Sequence, residues 1–521
     1  MLEIKTFSFN RDGVKNINDY KFGEDWPVVY IIENGKELYV GETTRAPKRT
    51  RDHLNNTARA HLKNIHIITD EESNMSATKD IESSLIEYFI GDNKFTLQNK
   101  SRGLENHNYF NREMYQGKFD NLWKELQKRG LVEKELLEIR NSNLFKYSPY
   151  KTLTDDQLIF AEELLNNIKN KKSHTYLVNG GPGTGKTILA TYLIKQLVEK
   201  GIDKVALVIA MTPLRETLKK VFRDIPGLKS SMVIGPNEVT NKGYDVLIVD
   251  EAHRLRRRVN IVNYQTFDET NKKLGLSKES TELDWVLASA KQIILFFDKK
   301  QTVRPSDIRS KQILATKPMQ YELKTQIRVK GGDKYLNFID NLMEGNKIEA
   351  EFAEYDFRIY DDIKKMTNDI KNKHKDHGLS LLVAGFAWKW VSRHNPSNPD
   401  PDIVIGDTKL FWNSKLKDWP NSPNAKNEVG CIHTIQGYDL NYAGVIIGPE
   451  ISYDTENQKI TIKRENYFDT NGCRGVKDDE ELKRYIINIY KTLLTRGIEG
   501  TYVYVCDKNL RNYFKQALKN K

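Results

Sequence analysis

Cysteine and long apolar runs are both scarce in this chain. Its 521 residues include three cysteines, Cys431, Cys473 and Cys506, which are widely spaced and odd in number. This argues against a disulfide framework or a zinc site and favours a reducing compartment. No stretch approaches the roughly 20 apolar residues of a membrane span, and Met1 to Asn10 hold no apolar signal core. We therefore expect a soluble, cytoplasmic protein with no membrane partner.

Acidic residues are outnumbered by basic ones. Lys plus Arg number 82 against 71 for Asp plus Glu, which gives a formal net charge of +11. This charge fits a polyanionic partner but does not establish one, because many basic proteins bind no nucleic acid. The length is too great for one core, and at roughly 100 to 200 residues per domain we expect about three domains.

The most informative stretch is rich in glycine and lies between a strand-like run, Thr175 to Val178, and a helix-like run, Ile188 to Val198. It consists of Gly180, Gly181, Pro182, Gly183, Thr184, Gly185, Lys186 and Thr187. Its glycines let backbone N–H groups curl around phosphates, the lysine adds a charge, and the threonine hydroxyl can hold Mg²⁺. A glycine-rich turn without function is the alternative, but the flanking strand and helix are those that a P-loop requires. The stretch predicts a site for ATP and Mg²⁺.

A buried strand, Asp245 to Val249, supplies the second half of the predicted phosphate site. It ends in two carboxylates, of which Asp250 is expected to hold Mg²⁺ and Glu251 to polarise the attacking water. Gln157 precedes the P-loop by one helix, where a glutamine can contact the adenine edge. The alternation of strands and helices from Leu153 onward predicts an α/β fold with a parallel sheet covered on both faces.

The N-terminal stretch begins with two β-rich runs, Val28 to Ile32 and Leu38 to Gly41. They are joined across Asn34-Gly35, a dipeptide that favours a type I′ hairpin turn. The turn would place Tyr30 and Tyr39 on neighbouring strands.

Two helices are expected after this hairpin. Pro47 to Asn55 would place Arg49 and His53 one turn apart on one face. A second helix, about Ala77 to Ile90, carries Glu82 on its apolar stripe. A carboxylate there is either solvated at the helix edge or retained for a metal, and without further information the solvated interpretation is favoured.

Together these residues resemble the GIY-YIG nuclease domain over about Trp26 to Leu104. The matched positions are Val28-Val29-Tyr30, Tyr39-Val40-Gly41, Arg49, His53, Glu82 and Asn99. The family includes intron homing endonucleases and a nucleotide-excision-repair nuclease. One departure is Val28, where the family usually has glycine. The resemblance implies a small α/β nuclease domain.

The same resemblance implies a role for each matched side chain. Glu82 would hold a single Mg²⁺ or Mn²⁺ through one carboxylate plus waters and substrate oxygens, and Arg49 would brace the phosphate. Tyr30 would accept a proton, which requires its surroundings to lower a pKa that is ordinarily about 10. Tyr39, His53 and Asn99 would orient water and the proton path. Plain strand packing is the alternative for the two tyrosines.

From about Leu153 to the C-terminus the chain resembles a superfamily 1 helicase motor of the Schlafen type found in bacterial proteins. Besides the P-loop and Asp250-Glu251, the resemblance rests on Asp298 to Gln301, Gln326 to Arg328, His433 to Gly437 and Tyr490 to Gly497. It implies that Gln301 senses the γ-phosphate, that Arg328 and Arg496 act as arginine fingers, and that Gly437 belongs to the nucleotide site. One departure is Phe297, where these enzymes usually have glycine.

The helicase resemblance also implies a path for nucleic acid across two lobes. Thr212, Arg215 and His433-Thr434 would lie near its phosphates. Two further segments, Arg254 to Arg258 and Trp388 to Trp419, could add backbone contacts and base stacking. A solvated arm and local core packing are equally good interpretations of these two segments.

The predicted organisation has four parts. A GIY-YIG nuclease domain occupies residues 1–110, a helical connector 111–150, a RecA-like lobe with the P-loop 151–316, and a second RecA-like lobe 317–521. We expect an ATP-dependent nucleic-acid motor fused to a metal-dependent endonuclease that cleaves DNA, with DNA favoured over RNA and defence against foreign DNA favoured as the setting. The alternatives are a nucleic-acid-activated ATPase sensor whose nuclease-like domain only binds, and a DNA repair nuclease-helicase. A protein partner or an oligomer is left open.

Overall fold

The structure is a computed structural model that describes residues 2–99, 112–171, 174–241, 243–298, 301–346, 352, 354–394 and 400–519. The chain divides into two compact units. The first comprises Met1–Glu162, Thr191–Gly201 and Val221–Ser230, and the second comprises Glu163–Ala190, Ile202–Lys220 and Ser231–Lys521. Among the described helices, none combines the length and the apolar character needed to cross a membrane.

Up to residue 146, the described residues form a mixed β-sheet with flanking helices. The strands are β1 (Glu3–Ser8), β2 (Glu24–Glu33), β3 (Glu37–Arg45), β4 (Asn64–Thr69) and β5 (Thr96–Leu97), and the helices are α1 (Arg11–Asn18), α2 (Ala46–Leu54), α3 (Met75–Asp92), α4 (Arg112–Lys128), α5 (Leu136–Asn141) and α6 (Asn143–Lys146). The strand order is β1-β4-β2-β3-β5, with antiparallel pairs except for the parallel pair β3 and β5. Val28 to Ile32 is buried without alternation, because helices pack on both faces of a central strand.

The predicted hairpin between β2 and β3 is present, but its type I′ turn is wrong. A type I′ turn needs positive φ at both central residues, and in this loop only Gly35 has one, at +83°. The Asn34 side chain instead accepts hydrogen bonds from the backbone N–H groups of Lys36, at 3.0 Å, and Glu37, at 2.8 Å. Asparagine commonly folds its side chain over the following backbone in this way, so the connection becomes a longer loop.

The predicted helical connector packs on α3. Trp123 and Phe119 of α4 and Phe145 of α6 surround the ring of Tyr88, with centroids between 4.8 and 5.6 Å away. The Asp92 carboxylate at the end of α3 accepts the backbone N–H groups of residues 133 and 134. This segment is therefore a packed part of the first unit, as predicted, rather than a flexible linker.

The next part of the chain alternates strands and helices. The strands are β6 (Thr175–Gly180), β7 (Val205–Ile209), β8 (Val233–Ile234), β9 (Tyr244–Asp250), β10 (Ala290–Phe297) and β11 (Met319–Leu323), and the helices are α7 (Asp155–Lys169), α8 (Lys186–Glu199), α9 (Thr212–Arg223), α10 (Tyr264–Lys273), α11 (Glu282–Ser289) and α12 (Ser310–Leu314). The strands form a wholly parallel sheet of order β11-β6-β10-β9-β7-β8. We call this sheet and the helices on it the first lobe. The predicted boundary at residue 316 is wrong, because β11 beyond it pairs with β6.

A second parallel sheet follows. The strands are β12 (Asp356–Tyr360), β13 (Ser380–Ala384), β14 (Ile403–Ile405), β15 (Thr408–Leu410), β16 (Val429–Cys431), β17 (Leu440–Ile447), β18 (Ile451–Asp454), β19 (Lys459–Ile462) and β20 (Gly497–Val505), and the helices are α13 (Gly332–Glu344), α14 (Ile363–His377), α15 (Ile432–Ile435), α16 (Thr470–Cys473), α17 (Asp479–Leu494) and α18 (Lys508–Lys519). The sheet order is β12-β20-β17-β13-β16, and β14–β15 and β18–β19 form separate antiparallel pairs. We call this part the second lobe. The predicted α/β class with two parallel-sheet lobes is confirmed.

Candidate functional sites

The P-loop lies between β6 and α8, at the carboxyl edge of the first parallel sheet. Gly183 and Gly185 have φ values of +81° and +72°, which glycine adopts without strain. The Lys186 Nζ donates to the carbonyl oxygens of Gly180, at 2.7 Å, and Gly181, at 2.8 Å. The lysine charge is thus held inside the loop, where phosphate oxygens are expected to replace these carbonyls.

Oxygen ligands suited to Mg²⁺ meet beside the loop. The Thr187 hydroxyl donates to the Asp250 carboxylate at 2.6 Å, and Asp250 has no exposed surface. Burial, together with the adjacent Glu251 charge, raises the pKa of Asp250. Hydroxyl and carboxylate oxygens are the ligands that Mg²⁺ prefers, and a cation there would favour the ionised carboxylate. The two side chains therefore fit the predicted metal role.

Glu251 is held by a histidine that the sequence reasoning did not assign. The backbone N–H of Asp298 donates to His253 Nδ1 at 3.4 Å, and His253 Nε2 lies 2.9 Å from a Glu251 oxygen. Burial opposes ionisation of Glu251, but His253 and Lys186 outweigh it and hold the pKa of Glu251 below its ordinary range. Glu251 also has a φ of +52°, a strained conformation for a residue with a side chain. Phe297 stands where related helicases usually have glycine, and its ring packs edge-on against that of His253.

Both predicted arginine fingers converge on one carboxylate of the second lobe. Arg328 Nε lies 2.6 Å from an Asp439 oxygen, and Arg496 lies 4.0 Å from the same oxygen. The backbone N–H of Ile327 donates to the Gly183 carbonyl at 2.9 Å, which keeps Arg328 beside the P-loop. The charge of Arg496 also contributes to lowering the pKa of Glu251. Asp439 lies two positions after Gly437, the last residue of the predicted His433 to Gly437 motif. Its role becomes apparent only from the side chains that it contacts in the folded chain.

Three other predicted nucleotide residues have separate surroundings. Gln301 donates from Nε2 to the Asp298 carboxylate at 2.9 Å, close to the P-loop lysine. Gly437 has a φ of +88° and lies against Leu214 of the first lobe. Gln157 lies in the first turn of α7, in the first compact unit, and accepts the backbone N–H of Thr154 at 3.1 Å. Its contact with adenine stays a prediction.

A cavity of about 950 Å³ opens beside the P-loop within the second unit. Its walls include Gly181 and Pro182 from the first lobe, Asn337 from α13, Lys491 from α17, and Thr495 just beyond the end of α17. This volume falls within the range of small-molecule sites. The cavity is large enough for a nucleotide whose phosphates lie on the P-loop.

The arginine-rich segment after β9 is committed to partners within the first lobe. The ion pairs are Arg254 with Asp307, Arg256 with Glu282, and Arg258 with Asp268, while Arg257 donates to the Asp307 carbonyl. Glu282 and Asp307 come from distant parts of the sequence, whereas Asp268 follows Arg258 by 10 residues. These guanidinium groups fasten the segment to its own lobe, so it is not a free arm. Arg256 is nevertheless exposed, and a contact between this segment and a nucleic-acid backbone stays a prediction.

The aromatic segment is largely core. Trp412 and Trp419 are buried, at 1% and 0% exposure, and Trp419 donates to the Glu428 carboxylate at 2.7 Å. Trp388 and Trp390 are half-buried near Trp412. Residues 395–399 of this segment lie outside the described residues. Core packing is therefore the correct interpretation for Trp412 and Trp419.

The residues predicted to approach nucleic-acid phosphates differ in access. Thr212 is exposed, and Arg215 donates to its hydroxyl at 3.1 Å. His433 lies between Arg304, at 2.8 Å, and Asp469, at 2.7 Å. Thr434 has no exposed surface, and its place near the phosphates stays a prediction.

The N-terminal tyrosine, histidine and arginine form one cluster. The Tyr30 hydroxyl lies 2.8 Å from His53 Nε2 and 3.1 Å from Arg49 Nε. Tyr30 is 1% exposed, whereas Arg49 is exposed and can reach a substrate phosphate. Burial and Tyr39 raise the pKa of Tyr30 above its ordinary value, against the lowering effect of Arg49. The lowered tyrosine pKa that the proton-acceptor role requires is thus absent from this state.

Glu82 and Asn99 have different surroundings: Glu82 lies near Tyr30, whereas Asn99 binds the backbone of β3. Glu82 is half-buried on α3, and its charge contributes to raising the pKa of Tyr30. Asn99 donates to the Val40 carbonyl at 2.8 Å and accepts its N–H at 3.0 Å, so its amide extends the sheet edge beside β3. The described residues contain no group of three or more metal-ligating side chains. A metal at Glu82 would therefore depend on this carboxylate plus waters and substrate oxygens, as Mg²⁺ often does.

Arg59 is the cluster member that sequence reasoning missed. Its guanidinium lies 3.7 Å from the ring centroid of Tyr39 and 2.9 Å from His53 Nδ1. It follows His53 by six positions, beyond the end of α2, so helix periodicity gave no signal for it.

Gly41 is a close-approach position that a substitution can test. It pairs with Tyr30 across the hairpin, and a Cβ there would overlap with the Tyr30 hydroxyl. We expect Gly41→Ala to cost about 1–3 kcal/mol of unfolding free energy through overpacking, measured by thermal or urea denaturation. Gly117→Ala is the control, because a Cβ at that helical position meets nothing within 4 Å and alanine favours helix. Equal stability of the Gly41→Ala chain and the parent would contradict the close approach.

Comparison with known proteins gives a family match for the part of the chain that contains the P-loop. Residues 173–507 match the family model described as Schlafen group 3, DNA/RNA helicase domain. An uncharacterized protein of Saccharomyces cerevisiae is 26% identical over 426 residues, which is 71% of this chain and 90% of that protein. The match to the crystal structure of the Pif1 helicase from Candida albicans covers 70% of this chain and 99% of the helicase chain, with 13% sequence identity and a TM-score of 0.29. The match to the Pif1 helicase from Bacteroides in complex with ADP-AlF3 and ssDNA covers 70% of this chain and 97% of the helicase chain, with 11% sequence identity and a TM-score of 0.30. TM-scores of this size carry no inference about function.

Proposed function

Because the chain belongs to the Schlafen group 3 DNA/RNA helicase domain family, we propose that it is an ATP-driven motor that moves on nucleic acid and carries a metal-dependent nuclease site at its N-terminus. The single observation that carries the motor is the convergence of Lys186, Asp250, Glu251, Arg328 and Arg496 at one cleft between two parallel sheets.

Each group at that cleft has a chemical task in the proposed hydrolysis of ATP. Lys186 and the loop N–H groups bind the phosphates, and Thr187 and Asp250 would hold Mg²⁺, which neutralises phosphate charge when bound. Glu251 orients and polarises the attacking water, while His253 fixes its carboxylate. Arg328 and Arg496 stabilise charge that develops on the transferred phosphoryl group. Their contact with Asp439 must then be exchanged for contact with the nucleotide.

The proposed nuclease activity rests on the N-terminal cluster and on the resemblance to the GIY-YIG family. Arg49 presents an exposed positive charge beside a buried tyrosine, and Glu82 lies near enough to influence that tyrosine. Phosphodiester hydrolysis needs charge neutralisation and a proton acceptor, and the cluster contains candidates for both. The preference for DNA and the setting, defence against foreign DNA or DNA repair, depend on the resemblances alone.

One observation favours the alternative, a nucleic-acid-activated ATPase whose N-terminal domain binds without cutting. The buried Tyr30 phenol is protonated in this state because burial raises its pKa. The alternative predicts stimulated ATP turnover with intact substrate, so a divalent-dependent plasmid nicking assay separates the two.

Stimulation by nucleic acid tests the motor. We expect ATP turnover to rise when single-stranded DNA is added, and the apparent affinity for DNA to fall as salt increases, because phosphate contacts release counterions. Turnover is measured at a series of DNA concentrations at low and at physiological salt, with polyglutamate as a polyanion control. ATP turnover that is the same with DNA, with RNA and with neither would contradict a translocating motor.

A further inference from the structure

His53 lies between Arg59 and Tyr30 in the buried part of the N-terminal cluster. Its Nδ1 is 2.9 Å from Arg59, and its Nε2 is 2.8 Å from the Tyr30 hydroxyl. His53 is 2% exposed. Burial and the charges of Arg59 and Arg49 lower the pKa of His53 to about 3, so the imidazole is neutral and carries one ring proton.

The contact with Arg59 determines which ring nitrogen of His53 carries the proton. A guanidinium has only donors, so the nitrogen that faces Arg59 must accept, and the proton must be on Nε2. His53 therefore donates from Nε2 to the Tyr30 oxygen. The tautomer follows from this hydrogen-bond pattern.

The Tyr30 oxygen consequently receives two donors. Arg49 Nε–H is the second, at 3.1 Å. A phenol oxygen has two acceptor sites and one proton of its own, so both acceptor sites are filled. Tyr30 can therefore accept a proton only as the phenolate, after its own proton has passed to solvent water as hydronium, and the two donors stabilise that phenolate until it takes a proton from the attacking water.

We propose that Arg59 is a positioning residue of the nuclease site, which holds His53 in the Nε2–H tautomer so that Tyr30 can serve as the proton acceptor. This proposal rests on the nuclease function proposed above and deepens it. Arg59 does not touch the reacting phosphate in this role; it acts through His53.

The ring of Tyr39 supports the Arg59 side chain. The Arg59 guanidinium lies over its ring at 3.7 Å, an arrangement in which stacking and cation–π attraction hold the planar group. The ring of Tyr39 also lies 5.0 Å from that of His53. Tyr39 thus orients Arg59, and the role in orienting water that the family resemblance implies stays a prediction.

The proposal is tested by combining a tautomer measurement with a cleavage measurement on the full chain. The chain is labelled with ¹⁵N-histidine, and the His53 signal among the ten histidines is identified by its loss in His53→Gln. The variants are Arg59→Met, which removes the donor, Arg59→Lys, which retains one, and Arg51→Met, a matched loss of charge at an exposed site on the neighbouring helix α2.

We expect the parent and Arg51→Met to show a protonated Nε2 and an unprotonated Nδ1 at His53. Arg59→Met should show a mixture of tautomers and cleave plasmid more slowly by on the order of a hundredfold, the size of a general acid–base contribution. Arg59→Lys should restore the Nε2–H pattern and part of the cleavage. Thermal denaturation of each variant shows that the change is not a loss of folding.

The outcomes separate the two claims. An Arg59→Met chain that keeps the parent's His53 pattern and cleaves like Arg51→Met overturns the role of Arg59 and leaves the nuclease function standing. A parent that cuts no nucleic acid with Mg²⁺ or Mn²⁺ overturns the nuclease function, and the His53 pattern then shows by itself whether Arg59 sets the tautomer.

Discussion

A chain with Lys186→Ala is expected to lose ATP hydrolysis by about two to three orders of magnitude. The substitution removes the buried charge that the P-loop holds 3.8 Å from Asp298, and deleting one preorganised charge donor has effects of about this size. Steady-state phosphate release with single-stranded DNA present measures the loss. Lys200→Ala is the control, because this exposed lysine lies just beyond the end of α8.

Glu251→Gln separates binding from turnover at the same site. Glutamine keeps an oxygen that can accept the His253 proton but lacks the charge that polarises water, so a fluorescent ATP analogue should bind as it does to the parent while turnover falls. Hydrolysis at the parent's rate by Lys186→Ala would show that the P-loop is not the hydrolytic site. Hydrolysis at that rate by Glu251→Gln would remove Glu251 from the chemistry.

Glu82→Ala is expected to abolish divalent-dependent nicking of plasmid DNA and to leave ATP turnover unchanged. The reason is that Glu82 and the P-loop belong to different compact units, and Glu82 is the carboxylate that the proposal assigns to the metal. Glu71→Ala is the control, because its carboxylate is almost fully exposed in the same unit. Nicking by purified Glu82→Ala at the parent's rate would contradict the assignment.

Tyr30→Phe tests the proton acceptor in the same assay. Its cleavage should fall by about two orders of magnitude or more, with some loss of stability, because the His53 and Arg49 donors lose their shared acceptor and an unsatisfied buried donor costs about 1–3 kcal/mol. Tyr20→Phe, whose hydroxyl contacts Glu3 at the surface, should cleave normally. Normal cleavage by a folded Tyr30→Phe chain would remove the phenol from the mechanism.

Local signals allowed much of the fold to be predicted. The strands β2, β3, β6 and β9 were found because short apolar runs between turn residues are determined by nearby sequence. The P-loop was found because its glycines have a mechanical reason to be there. β11 was assigned to the wrong lobe because its pairing with β6 joins segments about 140 residues apart, which no local pattern shows.

The errors at the candidate sites have the same origin. The segment from Arg254 to Arg258 looks like a basic surface in the sequence, but its partners Asp268, Glu282 and Asp307 come together only after folding. Asp439 and Arg59 were missed because neither belongs to a motif used in the prediction. Each becomes visible only through the side chains that it contacts.

The measurement that tests the central claim most directly follows ATP hydrolysis and strand scission together. Purified parent chain is mixed with end-labelled single-stranded, duplex and forked DNA or RNA, with and without ATP and Mg²⁺. We predict that nucleic acid stimulates ATP turnover, and that DNA is cut only when the divalent cation is present. If no nucleic acid changes the rate of ATP turnover and all of the strands remain intact, the account of this chain as a motor joined to a nuclease is contradicted.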